Sequence, residues 1–208
     1  MGLLAKETGS GQDYEPIPAG LHHAICYRFF DLGTQFNETF GKKARKVLLM
    51  WELPEHRIEI EREGETLDLP RATSKQYTLS LHKKANLRHD LESWRGKQFA
   101  ADELQGFDLA NILGVNATLQ MIHVTKGDKT YSNISNVLPL VKGESQDPEN
   151  KLNYFSFDEH TELPENTPEW VAGIIAKSDE WKALRGNSQP GEPEQTVVDD
   201  LDEDSIPF

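Results

Sequence analysis

The sequence predicts a mainly β domain with helical additions: a five-stranded Greek-key barrel, a helical connection between strands three and four, and a C-terminal helix. Three observations predict it. Short stretches rich in β-branched and aromatic residues alternate with period two and are set off by Gly and Pro. One stretch after the third of them switches to helical spacing. The excess acid is confined to the last third of the chain, leaving a charge-balanced body of a size that buries one core.

The first strand is expected over Gly20 to Gly33, where Leu21, His23, Ile25, Tyr27 and Phe29 share one face. Thr34 to Lys43 is polar and contains Gly41, which predicts a loop carrying Phe36 and Phe40. Ala44 to Leu53 is nearly all apolar and bounded by Pro54, a second strand that the alternating Arg57 to Arg62 extends or folds back on. Ser74 to His82 alternates again, with Tyr77, Leu79 and Leu81 on the buried side. Leu87, Leu91 and Trp94 then recur at helical spacing between a cap at Asn86 and a stop at Gly96. Short helical pieces are expected at Asp102 to Leu104 and Asp108 to Leu113, and strands at Ala117 to Thr125 and Tyr131 to Val141, joined by a Gly-Asp turn. Three strands, a helix and a hairpin is the chain order of the OB-fold, a barrel that holds single strands on its middle strands and loops. Another small barrel or sandwich with an inserted helix has the same count.

Four segments follow from this reading: a loosely held arm over 1–18, the barrel over 19–142, a connector and helix over 143–186, and an acidic tail over 187–208. In the third segment Thr167 caps a helix with Pro168 at its first position, and Trp170, Ile174, Trp181 and Leu184 mark the side packed on the barrel. The net charge of -13 divides unevenly: 18 basic against 18 acidic residues to Lys142, 4 against 10 to Gly186, and 0 against 7 beyond. A neutral body can carry a basic groove, while the detached acid repels DNA or competes with it.

No apolar run approaches membrane-spanning length and the first fourteen residues lack a secretory stretch, so a cytoplasmic protein is expected. Cys26 is alone, which precludes an intrachain disulfide and fits a buried small hydrophobe. Neither a cofactor nor a metal site is expected. His22 and His23 point to opposite faces of a strand, His82 and His89 lack ligand spacing, and there is no phosphate loop or dinucleotide fingerprint. Glu59, Glu61 and Asp68 are the carboxylates from which a nuclease metal site would be built, but their spacing reads equally as a solvated strand edge. An enzyme is therefore not expected.

Unpaired polynucleotide is held by cations that track phosphates and rings that stack on bases. The densest supply of both is Phe36, Phe40, Lys42, Lys43, Arg45, Lys46 and Trp51. A second is Arg71, Lys75, Tyr77, Lys83, Lys84 and Arg88, and the two line one groove if the third strand packs beside the second. Phe36 and Phe40 lie in a polar loop that burial does not explain. Trp51 and Tyr77 have apolar neighbours, so core and stacking platform both remain open for them.

The chain closes on Asp199, Asp200, Asp202, Glu203 and Asp204, then Ile206, Pro207 and Phe208. So charged a segment builds no core, yet a basic pocket around an apolar slot can capture its terminal ring and carboxylate together. This ending resembles the C-terminal tip of bacterial and phage single-stranded DNA-binding proteins, with Ser205 where that family commonly has another Asp. The segments DLGTQ (31–35), WEL (51–53) and LESWRGKQF (91–99) are similar to phage members of the group. The resemblance implies an OB-fold that coats and protects single-stranded DNA in replication, recombination or repair, in the cytoplasm of a host cell, and recruits partner enzymes through its tip. The rival expectation is a regulator that contacts only proteins, its acidic third imitating DNA.

Overall fold

A computed structural model describes residues 15–38, 41–62, 64–141 and 145–186. The chain is mainly β, with a curled antiparallel sheet as its frame. Its strands are β1 (Gly20–Asn37), β2 (Lys42–Arg62), β3 (Glu65–Thr78), β4 (Asn116–Lys126) and β5 (Lys129–Leu138). They lie in the order β3-β2-β1-β4-β5. The helix α1 (Asn86–Arg95) connects β3 to β4, followed by two short 3-10 turns at Glu103–Gln105 and Leu109–Ile112. A short strand β6 (Asn153–Phe155) pairs parallel with β1 at Arg28–Phe30, on the edge that β4 leaves after Ile25. Two helices, α2 (Glu169–Ile175) and α3 (Asp179–Leu184), end the described chain. No helix among the described residues is long and apolar enough to cross a membrane.

Burial falls into two layers, one on each face of the sheet. The enclosed layer holds Cys26, Phe29, Leu49, Trp51, Tyr77 and Leu119 beneath Leu87, Leu91 and Trp94 of α1. The second layer puts Tyr27, Phe30, Leu32, Leu48 and Met50 against Phe155, Val171 and Ile175 of the C-terminal segment. Alternate residues of β1 feed the two layers, and two register shifts, at Cys26/Arg28 and Asp31/Gly33, change which of them face which layer. Each extra residue moves the chain onto the opposite face. The expected single face from Leu21 to Phe29 is therefore wrong in detail: Phe29 packs inside while Tyr27 packs outside, and Leu21 is exposed.

Other departures have equally local causes. β1 continues to Asn37 and β2 begins at Lys42, so the expected loop over Thr34 to Lys43 is mostly ladder, with Phe36 opposite Lys43. β2 passes Pro54 through a register shift between Leu53 and Arg57, which absorbs the residue that cannot donate to the ladder. β3 starts at Glu65 rather than Ser74, because Ile58 pairs with Leu69 and Ile60 with Leu67 in a ribbon beyond the reach of β1. The C-terminal helix is two helices: Ser178 ends the first run and caps α3 by accepting from the Trp181 N–H at 3.1 Å. Val171 and Ile175, not Trp170 and Leu184, are the buried anchors there. Pro168 itself stands at the cap of α2, while the Thr167 hydroxyl donates to the Pro164 carbonyl. The expected loose arm also ends earlier than residue 18. Ile17 is buried, and its carbonyl accepts from His123 Nε2 and the Ser132 hydroxyl at 2.8 Å each. Residues 1–14 and the tail over 187–208 lie outside the described residues.

The segments that carry the family resemblance turn out to be joints. Asp31 accepts from the Gly33 and Phe157 N–H groups and from the Arg45 guanidinium, while Gln35 Nε2 donates to the carbonyls of Leu32 and Ile174. Gly33 sits at φ 68°, and a Cβ there would lie 2.6 Å from Ser178 Cβ, so a side chain would push α3 away. Glu52 is fully buried, and its carboxylate accepts from the Glu149 N–H, the Asn150 N–H and the Asn150 side chain at 2.7 to 2.9 Å. Trp94 Nε1 donates to the Asn116 carbonyl, and Arg95 lies over the rings of Phe99 and Phe107.

Candidate nucleic-acid interface

The first set of candidate residues divides sharply along β2. At the turn, Phe36 is 58% exposed, and Lys42 and Lys43 are exposed beside it, opposite Asn37 and Phe36 in the ladder. Phe40 lies outside the described residues. Lys43 Nζ is 2.8 Å from Asp179 of α3, with both side chains about half open to solvent. Further along, Arg45 is gripped by Asp31 and reaches Asp158 at 3.0 Å, and these contacts hold its guanidinium more firmly protonated than usual. Lys46 is buried and donates to the Thr78 hydroxyl at 2.8 Å. Trp51 is fully buried 5.9 Å from Trp94, so no base reaches its ring.

The second set is mostly structural. Tyr77 is fully buried and its hydroxyl donates to Asp90 at 2.7 Å; Lys75 donates to the same carboxylate oxygen at 2.7 Å. Lys75 also reaches the Ser135 carbonyl at 3.3 Å, which links β3 to β5 across the gap between the two sheet edges. Arg88 pairs with Glu92 one turn away on α1 and donates to the Leu81 carbonyl. Arg71 lies half-buried on β3. Lys83 and Lys84 are exposed on the segment after β3, which returns to β2 through a 2.8 Å bond from the Leu79 N–H to the Arg45 carbonyl. The residues that the fold leaves open are thus Phe36, Lys42 and Lys43 at one turn, and Lys83 and Lys84 on the chain leaving the same end of the sheet. Trp51, Tyr77, Lys46 and Lys75 are corrected to core and support, because β2 is covered on both faces from Lys46 to Leu53 and Asp90 of α1 holds Lys75 and Tyr77.

Four participants at this end, Thr34, Asp158, Asp179 and Glu180, have no counterpart among the residues expected from the sequence. Thr34 donates both its N–H and its hydroxyl to Glu180, at 2.6 Å each, and Asp158 and Asp179 meet Arg45 and Lys43. The charge count placed acid in 143–186 but not its destination. A cavity of about 210 Å³ opens beside Arg45, walled by Phe29, Tyr154, Phe107 and the carboxylates of Asp31 and Asp158. Tyr154 stacks on Phe29 at 5.0 Å, and its hydroxyl donates to Glu159 at 2.5 Å, which raises its pKa. On the ribbon, Glu59 lies opposite Asp68, but Asp68 is engaged by Arg57, and among the described residues no three potential ligands gather as a metal would need.

The chain matches no protein-family model, and no curated protein matches it.

Proposed function

We propose that this protein binds single-stranded DNA at the β1–β2 turn and offers its acidic tip to replication, recombination or repair proteins. The observation that carries the reading is the exposed ring of Phe36 beside Lys42 and Lys43, a stacking surface flanked by phosphate contacts. The strand order β3-β2-β1-β4-β5, with a helix between β3 and β4, supports an OB-type barrel as the scaffold. The Asp-rich ending on Ile206, Pro207 and Phe208 supports the recruiting role. The tail then repels phosphate, so it competes with DNA rather than holding it.

The rival reading, a regulator that contacts only proteins, draws its support from Asp179, Asp158 and Asp31, which already meet the cations at this end. One titration separates the two. Fluorescence polarisation with labelled poly-pyrimidine DNA is expected to show binding at low salt that weakens steeply as salt rises, and much weaker binding of duplex. Removal of residues 199–208 is expected to leave that affinity equal or higher while abolishing partner recruitment. No binding at low salt, or equal binding of duplex, would overturn the proposal.

A further inference from the structure

Building on the single-strand reading, we infer that Thr34 and Lys43 form a phosphate seat that Glu180 and Asp179 of α3 fill when no strand is bound. The Thr34 N–H and hydroxyl converge on one carboxylate at 2.6 Å each, and the Lys43 ammonium stands 2.8 Å from the next one. Donors so arranged around a carboxylate suit any oxyanion, and a phosphodiester offers the same acceptor chemistry. Thr34 precedes Phe36 by two positions on β1, so both lie on one face, about 6.7 Å apart along the strand. A backbone phosphate at Thr34 therefore places its neighbouring base within reach of the exposed ring.

The occupant is built to leave. None of the six residues of α3 is buried, in contrast to Val171 and Ile175 of α2. The helix is held by Ser178 at its cap, by the two carboxylates, and by Trp181, whose ring packs edge-on to Phe155 and Phe157. Exposed ion pairs of the Lys43–Asp179 kind contribute little to stability, so a polyanion replaces them readily. The linker and acidic tail begin directly after α3. A strand that displaces α3 thus lengthens the tether of the recruiting tip, which makes tip display dependent on bound DNA.

The test is a polarisation titration of labelled oligothymidylate with the full-length protein, the double variant Asp179→Asn/Glu180→Gln, and that variant with Thr34→Val added. Both replacements in α3 keep hydrogen-bonding groups and remove charge, so the fold is retained. The double variant is expected to bind about tenfold more tightly, and Thr34→Val to remove most of that gain. Hydrogen exchange on the wild type is expected to show loss of protection at α3 amides when the strand binds. A wild type that binds while the double variant binds no tighter, a gain that survives Thr34→Val, or unchanged exchange at α3 would each overturn the inference and leave the single-strand reading intact. Absence of binding by all three proteins would overturn both.

Discussion

Lys75 with Tyr77 and Lys43 with Phe36 are the same chemical pair, a cation beside a ring on a strand, and the fold puts them to opposite uses. Lys75 lies 5.4 Å from the Tyr77 ring, and both donate to Asp90 inside the curl of the sheet. Lys43 and Phe36 face each other at the turn, exposed, with a carboxylate supplied from a distant segment. Enclosed, the pair is a closed polar network that ties β3 to α1 and β5. Exposed, it is a surface whose present partner can be exchanged for another anion. The difference is solvent: a buried ion pair deprived of one member leaves an uncompensated charge, whereas an exposed one is rescued by water.

Breaking the enclosed pair should therefore have the largest effect. Asp90→Ala leaves the Lys75 ammonium and the Tyr77 hydroxyl without their shared acceptor, and about 3 kcal/mol of stability should be lost in denaturant unfolding. DNA affinity of the molecules that remain folded should not change. A loss below 1 kcal/mol would mean that the network is no more consequential than the exposed pair.

A smaller, pH-dependent effect sharpens the contrast at a third polar contact. His56 Nε2 lies 2.8 Å from His22 Nδ1, and partial burial, His22 and Arg71 lower its pKa below 6.5. The folded state binds this proton less readily than the unfolded one, so stability is unaffected above the unfolded value and falls as pH drops through it. Melting temperature should decline from pH 7.5 to pH 5.5, and His56→Gln should flatten that decline. An identical slope in the variant would remove His56 from the account.

The elements were largely legible in the sequence because each has a local signature. Period-two alternation marked the strands, Leu87, Leu91 and Trp94 marked α1, and Gly127 with Asp128 marked the hairpin. The faces were not legible, since two register shifts in β1 have no residue signature and each reverses inside and outside. The stacking candidates inherited the same ambiguity: Trp51 and Phe36 both look like platforms until the layers that cover both faces of β2 put one in the core, while the turn leaves the other in solvent. Lys42 and Lys43 could be picked from their clustering, but Thr34 could not. A lone threonine becomes an anion donor only because Gly33 lets α3 approach, a contact between residues 146 positions apart.

The central claim is that the exposed cation and ring grip DNA while the enclosed ones only build the frame. Its most direct measurement is the affinity of oligothymidylate for Phe36→Ala and, separately, for Lys42→Glu/Lys43→Glu, each with its melting temperature recorded. Loss of one stacked base is worth about 1 to 3 kcal/mol, so Phe36→Ala should weaken binding at least fivefold, and the charge reversal should weaken it further and flatten its salt dependence. Melting temperatures should stay within a few degrees of the wild type. Wild-type affinity in both variants, with the fold intact, would contradict the account.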